Sequence, residues 1–390
     1  MSEQTGIVTL EELPPKEFYL RLKSKFVELI KRRIREKYKI EEICDLLAIS
    51  DRMLLHWLNK ESLLRLDIFK KIINFFDIKT NEVKILSLRG KKGKEIKYPK
   101  LPFNFTTTSG VRIIAAILGD GSLSKSPSYA NKNKDLIRDF IKDCLLVFGN
   151  INLKVRPKNK VSNVKVVDLP CIFGKILKTV GLKLGSKVDN NPNIPSFIFN
   201  LEKEKIIEFL SQIIDDEGSV SLASRHIRIK FSTLVSKPIS NLIDNIKELL
   251  LKIGIESVIY QLGEYDSKRG ERRKNWQIEI HYFEQLQKIY KTFKLRNKER
   301  KNKINGLLQK HKLNQFPKKK TTEIFLSAMK KVQEEKGYFT TKDLIPKFDR
   351  SGGHIKNMVH KYESKKLIKK LEVVKSNGKT FFPAKYVISE

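Results

Sequence analysis

The chain has 390 residues, of which 79 are Lys or Arg and 44 are Asp or Glu, so its formal net charge is +35. This excess excludes an acidic solvating protein and makes a polyanion the expected partner. With 40% hydrophobic and 9% aromatic residues the chain can fill ordinary cores. Its length allows roughly two to four domains of about 100 to 200 residues each.

The cysteines indicate a reducing compartment. Cys44, Cys144 and Cys171 are too few and too scattered for a disulfide framework, and no C-x-x-C pair is present to start a zinc site. No window reaches the roughly 18 uncharged apolar residues of a membrane span. We therefore expect a cytoplasmic protein without a membrane partner.

Two basic stretches in which the apolar periodicity lapses divide the chain. RGKKGKEIKYPK (residues 89–100) reads as a linker because it contains Gly and Pro and few apolar residues. QKHKLNQFPKKK (residues 309–320) contains no acidic residue. The predicted organisation is an N-terminal segment (1–88), a linker (89–100), a central block (101–308), a second linker (309–320) and a C-terminal segment (321–390).

The N-terminal segment contains a helix-turn-helix spacing. In IEEICDLLAISDRMLLHWLNKE, Ile43, Leu46 and Leu47 share one helical face, and the apolar spacing resumes with Leu54, Leu55 and Leu58 after a break. Ser50 or Asp51 is suited to cap the second helix. The pattern resembles the all-α DNA-binding domains of the phage-repressor type.

In that type of domain the second helix enters the major groove. The resemblance therefore implies DNA contact by the residues Asp51, Arg52, His56 and Lys60. A helical hairpin that only packs against the rest of the protein is the alternative.

Two segments of the central block share one plan. VRIIAAILGDGSLS (111–124) and IEFLSQIIDDEGSVSL (207–222) are both apolar helices that run into acid-Gly-Ser and then into a β-type stretch. Each is followed by an amphipathic helix, two strands and another helix. The two halves, residues 101–200 and 201–308, are therefore both predicted to have the order α-β-β-α-β-β-α.

On these two motifs the central block resembles the LAGLIDADG (DOD-type) homing endonucleases in their single-chain, two-repeat form. Residues 113–121 stand for the first motif and residues 210–218 for the second. The resemblance implies an α+β fold of two pseudo-symmetric αββαββα repeats, with the two motif helices packed side by side.

Chemistry is expected where the two motif helices end. Small residues at Ala115, Ala116 and Gly119 allow a close approach of the helices, and Gly121 and Gly218 suit a helix C′ position. Two carboxylates beside helix C-termini repel each other and favour a hard cation.

The resemblance implies that Asp120 and Glu217 are catalytic metal ligands, with Gly119 and Asp216 as further ligands, and that Mg²⁺ (or Mn²⁺) assists phosphodiester hydrolysis. The alternative for both acids is a simple role at a helix end.

Members of the family also place basic groups near the metals. Lys165 in the first repeat and Lys230 in the second are the candidates, with Lys274 as another in the second repeat. A plain phosphate contact is the alternative role for each of them.

Long antiparallel strands read DNA in this family, a geometry that the major groove admits. Alternation in RHIRIKFS presents Arg225 or His226, Arg228 and Lys230 on one side of a strand. The following hairpin adds the basic residues Lys268, Arg269, Arg272 and Arg273. The hairpins of the first repeat are shorter.

The C-terminal segment resembles a winged helix, because three predicted helices precede two β-rich runs around Ser376-Asn377-Gly378. Its recognition helix would carry Lys356, His360 and Lys361, and its wing Lys375 and Lys379. Docking to another protein is the alternative.

The resemblance thus implies a monomeric, nucleoid-associated, site-specific double-strand DNA endonuclease of the homing type. A non-catalytic DNA-binding regulator derived from the same fold is the second interpretation. A maturase that binds structured intron RNA is the third.

Overall fold

The computed structural model describes residues 5–59, 62–91, 93–124, 127–159, 161–267, 270–312, 321–348, 352–371 and 384–389. The chain combines runs of helices with several small sheets, which agrees with the predicted α+β class. Among the described helices none combines the length and the apolar character that crossing a membrane requires.

The helices are numbered in chain order. They are α1 (Ser24–Lys37), α2 (Ile40–Leu47), α3 (Asp51–Leu58), α4 (Leu66–Phe75), α5 (Thr108–Leu118), α6 (Lys134–Phe148), α7 (Cys171–Thr179), α8 (Lys187–Asn190), α9 (Ser196–Phe199), α10 (Lys203–Glu217), α11 (Asn241–Lys252), α12 (Phe283–Thr292), α13 (Lys298–Lys312), α14 (Thr321–Lys336), α15 (Thr341–Phe348) and α16 (Gly352–Ser364), with a short 3-10 helix at Thr80–Glu82.

The strands of the described residues form five small sheets. They are β1 (Ile7–Val8), β2 (Phe18–Leu22), β3 (Leu64–Arg65), β4 (Ile85–Gly90), β5 (Ile96–Lys97), β6 (Phe103–Asn104), β7 (Gly121–Ser122), β8 (Ser128–Asn131), β9 (Asn150–Ile151), β10 (Lys154–Pro157), β11 (Lys165–Asp168), β12 (Gly218–Ser221), β13 (His226–Leu234), β14 (Val258–Asp266), β15 (Arg272–Ile280), β16 (Phe339–Thr340), β17 (Ile368–Lys370) and β18 (Lys385–Ile388).

The chain divides into two compact units. The first comprises Met1–Ser219, Arg228–Ile280 and Lys291–Arg300, and the second comprises Val220–Ile227, His281–Tyr290 and Lys301–Glu390. The first unit contains both motif helices. The second contains the C-terminal helices and their sheet.

The N-terminal segment is not all-α, which corrects the sequence-based prediction. Strands β2, β3 and β4 lie within it and join β5 and β9 in a five-stranded sheet of order β3-β2-β4-β5-β9. FYLRL at Phe18–Leu22 has the period of a strand, because Phe18, Leu20 and Leu22 are buried while the residues between them are more exposed.

Helices α2 and α3 begin and end close to the predicted positions. Ala48 between them has a left-handed backbone with φ of 56°, and the N–H of Met53 donates to Ser50 Oγ at 3.3 Å, which caps α3. Leu47 and Leu54 are buried as expected. Leu46 and Leu55, which belong to the same apolar spacing, are 44% and 42% exposed.

Part of the interval predicted as the first linker is ordered in this sheet. Ile96 on β5 is fully buried and pairs with Leu88 on one side and Ile151 on the other. The apolar Ile96 therefore fixes a stretch whose composition is otherwise typical of a linker. In the second interval, α13 continues to Lys312, and residues 313–320 lie outside the described part of the chain.

The second half of the central block runs α10-β12-β13-α11-β14-β15-α12, the predicted order. The first half runs α5-β7-β8-α6-β9-β10-β11-α7 and so departs from the prediction by the additional strand β9, and the short helices α8 and α9 follow it. The first half forms a sheet of order β10-β11-β8-β7 and the second a sheet of order β14-β15-β13-β12. Corresponding strands therefore occupy corresponding places in the two sheets. Helix α5 packs along α10, and both helices bury most of their residues.

The C-terminal helices α14, α15 and α16 enclose an apolar core and lie with a sheet of order β16-β18-β17. Phe325 stacks on Phe348 with ring centroids 4.0 Å apart. Helix α16 buries Ile355 and Val359 and leaves Lys356 exposed. The predicted turn at 376–378 and the wing residues Lys375 and Lys379 lie outside the described residues.

Candidate active site

The carboxyl ends of α5 and α10 approach each other very closely. A Cβ atom on Gly119 would lie 2.8 Å from Asp216 Cβ. Real Cβ atoms do not come that near to a neighbour, so only glycine fits at this point of the helix contact. The small residues of the first motif therefore serve the close approach that the sequence predicts.

Gly121 and Gly218 are required for a different reason from the one predicted. Neither has the left-handed φ of a C′ glycine. A Cβ on Gly121 would meet Ile117 Cα at 2.4 Å, and one on Gly218 would meet the Ile214 carbonyl oxygen at 2.5 Å. In each half the chain passes close to the last turn of the motif helix as it leaves that helix. No space is left there for a side chain, so the position requires glycine.

A hydrogen-bond network joins the two helix ends. Asn131 Nδ2, on β8, donates to Asp120 Oδ2 at 2.8 Å and to Asp216 Oδ1 at 3.2 Å. Tyr129 OH donates to Asp216 Oδ1 at 2.7 Å, and Gln212 Nε2 donates to Asp216 Oδ2 at 2.8 Å. One amide group thus connects a carboxylate of the first motif with a carboxylate of the second.

Burial makes these acids hard to ionise. It raises the pKa of Asp120, although the cations Lys187 and Arg300 act in the opposite direction. It raises the pKa of Glu217 to about 7, and the negative charge of Asp120 contributes to that rise. The pKa of Asp216 is raised well above its ordinary value by burial and by the charge of Asp120. Acids that repel one another in a poorly solvated place are suited to share a cation.

Lys187 on α8 occupies the end of α5. Its Nζ donates to the Leu118 carbonyl oxygen at 3.0 Å and also to the carbonyl oxygen of Gly119. Burial lowers the pKa of Lys187, and the negative charges of Glu217, Asp120 and Asp216 oppose that shift. An ammonium group with two carbonyl acceptors and three nearby carboxylates is held firmly in this position.

Arg300 has the same relation to α10. Its guanidinium donates to the Ile214 carbonyl oxygen and, at 3.2 Å, to the Asp216 carbonyl oxygen. A cation at a helix C-terminus satisfies the last carbonyl groups and opposes the negative end of the helix dipole. Each motif helix therefore ends at one positive side chain. Sequence reasoning missed both residues, because nothing in their local sequence distinguishes them from the many other basic residues.

Polar contacts also tie the chain after α12 to α10. The backbone N–H groups of Arg296 and Asn297 donate to the carboxylate of Asp215 at 2.8 and 3.2 Å. Towards the other end of the helix pair, Arg112 on α5 binds Glu208 on α10 at 2.6 Å. Asp215 therefore holds the polypeptide in place, and the ion pair joins the two helices.

The predicted lysines lie at different distances from this network. Lys165 on β11 pairs directly with Asn131 on β8, and residues directly opposite each other project from the same face of a sheet. Lys230 is exposed on β13. Lys274 Nζ donates to the Pro238 carbonyl oxygen at 3.3 Å and lies 5.3 Å from the centre of the Trp276 ring.

The second sheet carries the polar face that the alternation predicts. Ile227 and Ile229 are fully buried, whereas Arg228 is half-buried and Lys230 is exposed. Arg228 Nε donates to Ser219 Oγ at 2.9 Å. This face therefore offers hydrogen-bonding groups between its cations.

The remaining predicted DNA-binding residues differ in their surroundings. Arg272 pairs with Glu264 at 3.1 Å, and Arg273 binds Glu271, so both cations are partly neutralised. Arg225 is half-buried, Arg52 and Lys361 are exposed, and His56 is half-buried. Lys60, Lys268 and Arg269 lie outside the described residues.

The residues at the helix ends suit a divalent cation with few protein ligands. Asp120 and Glu217 supply hard oxygen donors, and Mg²⁺ is commonly held by one or two carboxylates together with water and substrate phosphates. The resemblance also implies Gly119 and Asp216 as ligands, but both already accept hydrogen bonds from the protein. The Gly119 carbonyl oxygen accepts from Lys187. The Asp216 carboxylate accepts from the side chains of Tyr129, Gln212 and Asn131.

Comparison with known proteins agrees with the second motif. Residues 204–294, from the start of α10 to just beyond α12, match the family model of a LAGLIDADG-like domain. This match supports the LAGLIDADG family, whose domains are typically nucleases that act on DNA and use divalent metals.

A curated relative is also similar over part of its length. The chain is 23% identical over 152 residues to the ATP-dependent DNA helicase Hel308 of Methanocaldococcus jannaschii. The matched segment covers 37% of this chain and 12% of that protein. The chain therefore spans about an eighth of the relative, and the helicase activity in the name belongs to that protein.

Proposed function

We propose that this protein is a divalent-metal-dependent DNA endonuclease that cuts both strands of a duplex at the ends of α5 and α10. The observation that carries the proposal is the contact of two motif helices whose terminal acids, Asp120 and Glu217, lie in a largely buried place that raises the pKa of both, with the charge of Asp120 adding to the rise at Glu217. Such a pair is typical of a cation site and costly to maintain for any other purpose.

Each residue of the site would have a defined task. Asp120 and Glu217 would hold the cation, which supplies Lewis-acid catalysis of phosphodiester hydrolysis. Asn131 fixes the orientation of the Asp120 carboxylate through its 2.8 Å hydrogen bond. Lys187 presents a positive charge beside both acids, where it would stabilise the negative charge that develops on a reacting phosphate.

Binding of the duplex would rest on the two sheets. The half-buried Arg228 and the exposed Lys230 alternate with buried isoleucines on β13, and antiparallel strands of this kind fit the major groove. The helix-turn-helix α2–α3 and the winged-helix-like C-terminal elements would lengthen the contact. One chain with two repeats would act as a monomer.

Cleavage of a plasmid library in Mg²⁺, followed by mapping of the breaks, tests the proposal. The wild type should leave short 3′ overhangs, the product that the resemblance implies. Asp120→Asn and Glu217→Gln should bind the duplex as the wild type does but should not cut it. Glu204→Gln is the matched control, because Glu204 lies on the first turn of α10 and is exposed.

A non-catalytic DNA-binding regulator is the second candidate, and one observation favours it. Lys187 and Arg300 bring positive charge to Asp120 and Glu217 and favour their ionised forms. These two cations can therefore balance the negative charge of the acids without a metal ion. Tight binding of a duplex by the wild type without breaks at any site in Mg²⁺ or Mn²⁺ would support this candidate against the nuclease.

A further inference from the structure

The two ends of the basic stretch at residues 89–97, Arg89 on β4 and Ile96–Lys97 on β5, are held in a sheet. Lys97 pairs with Ser87 on β4 and with Asn150 on β9, and Ile96 pairs with Leu88 and Ile151. Strand β9 directly follows α6 of the first repeat. The cations Arg89 and Lys97 therefore occupy fixed positions in a sheet instead of moving with a free linker.

A cavity of about 440 Å³ opens beside these strands. Its walls include Arg89, Lys94 and Lys97 as cations, Asn150 and Asn152 as amides, and Glu95 as the acid. Three positive groups and one negative group leave the cavity with an excess of positive charge. Its lining differs from the carboxylate-rich end of the motif helices.

Hydrogen-bond donors lie in the cavity wall and close behind it. Arg89 Nε is buried and has no hydrogen-bond partner among the described residues. A buried N–H group without an acceptor is costly. Lys94 Nζ donates to the Asn152 carbonyl oxygen at 3.1 Å, which fixes the ammonium at the wall, and an ammonium group has two further N–H donors.

We propose that this cavity binds a phosphate group, with Arg89 as the directional donor and Lys94 and Lys97 as the flanking charges. A guanidinium group forms paired hydrogen bonds with the oxygens of a phosphate, and lysines add point charge around them. The phosphate belongs to a nucleic-acid backbone or to a free phosphorylated molecule. Neither Asp120 nor Glu217 takes part, so the inference stands apart from the proposed nuclease.

The test compares two pairs of exposed lysines. Lys94→Gln/Lys97→Gln empties the cavity of two charges, and Lys142→Gln/Lys247→Gln removes the same charge from the exposed faces of α6 and α11. Affinity for a DNA duplex is measured at several salt concentrations, and affinity for pyrophosphate is measured by calorimetry. All samples contain EDTA, so a failure of metal-dependent cleavage does not affect the result.

If the ligand is a backbone phosphate, the slope of log K for the duplex against log salt becomes shallower in the Lys94/Lys97 variant. The change should be roughly 0.9 for each phosphate that the variant no longer neutralises, and the control should change less. If the ligand is a free phosphate, pyrophosphate affinity falls severalfold while the duplex slope matches the control. Either result supports the site.

Arg89→Lys separates recognition from bulk charge, because it keeps the charge and removes the guanidinium. Arg89→Lys should lower the affinity for the same ligand, duplex or pyrophosphate, whose binding the Lys94/Lys97 variant weakened. Equal binding of both ligands by the Lys94/Lys97 variant and its control would overturn the proposal, as would full binding by Arg89→Lys.

Discussion

At the scale of single residues, the ends of α5 and α10 combine buried acids with one cation each. Lys187 caps α5 and Arg300 caps α10 through the last carbonyl oxygens of the helices. Asp120 and Glu217 are therefore stabilised as anions by neighbours and destabilised by burial. The balance between these effects decides how the site responds to pH and to the removal of a cation.

Glu217 should make stability depend on pH in metal-free buffer. Its pKa in the folded protein is about 7 against an ordinary value of 4.5. At a pH between these two values Glu217 is therefore protonated in the folded protein and ionised in the unfolded chain. The free energy of unfolding should therefore fall as pH rises from about 4.5 to about 7, by up to about 3 kcal/mol from this group.

Thermal melting in EDTA across that range measures the effect. Glu217→Gln should lose the part of the decline that Glu217 contributes, leaving the part due to the other buried acids such as Asp120 and Asp216, and Glu204→Gln should keep the whole decline. Addition of Mg²⁺ above pH 7 should raise the melting temperature of the wild type more than that of Glu217→Gln. Identical melting of the wild type and Glu217→Gln at every pH would contradict the prediction.

Lys187→Met should raise the pKa of Glu217 further, because Lys187 is the cation that lowers it most. The pH at which Glu217 ionises should therefore move upward in Lys187→Met. In Lys187→Arg it should stay closer to the wild-type value, because the positive charge is kept. Cleavage should fall by about 10²- to 10³-fold, the usual loss when one preorganised donor is removed.

The pH profiles of melting and of cleavage check this prediction. Lys183→Met is the control, since Lys183 is exposed and precedes the same helix. A loss of cleavage with an unchanged pH profile would assign Lys187 to folding instead of the site.

At the scale of elements, the approach of α5 to α10 decides whether the acids meet. The Arg112–Glu208 ion pair joins the helices towards one end, and the missing side chain of Gly119 allows contact at the other. Both features involve the packed faces of the helices, where little space is left for change.

Gly119→Ala should separate the helix ends. The added Cβ would lie 2.8 Å from Asp216 Cβ, so the helices must shift by some tenths of an ångström. Overpacking of this kind costs about 1 to 3 kcal/mol, and Mg²⁺ binding should weaken as well because the carboxylates move apart.

Denaturant unfolding and calorimetry with Mg²⁺ measure the two effects. Gly306→Ala on α13 is the control, since an added Cβ there meets only Leu222 Cδ2 at 3.8 Å. That variant should be as stable as the wild type or more stable, because alanine favours a helix. Equal behaviour of the two variants would argue against a tight contact at Gly119.

At the scale of the whole molecule, the net charge of +35 governs association. Some cations are used internally: Arg112 pairs with Glu208, Arg296 with Asp143, and Lys187 with helix carbonyl groups. The basic residues on the surface remain available for phosphate contacts.

Duplex affinity should therefore depend steeply on salt. If six to ten basic groups contact phosphates, affinity should fall by about three to five decades between about 50 and about 200 mM salt. Fluorescence anisotropy with a labelled duplex measures this slope, and an unrelated sequence should show a similar one. A shallow slope would indicate that most surface cations lie away from the nucleic acid.

The sequence by itself determined the elements whose signals are local. Two apolar helices ending in acid-Gly-Ser, the alternation of RHIRIKFS and the cap at Ser50 depend on residues within a few positions of each other. These patterns predicted the α+β class and the two motifs, the second of which agrees with the match at residues 204–294.

Tertiary structure alone decided which distant groups surround the acids. Lys187 lies on α8, Arg300 on α13, and Asn131 and Tyr129 on β8, and no local pattern marks them among 79 basic residues or the many polar ones. Ile96 likewise became a sheet residue only through β4 and β9. Hydrogen bonds, burial and pKa values depend on neighbours in space, and for these residues the neighbours are far away in sequence.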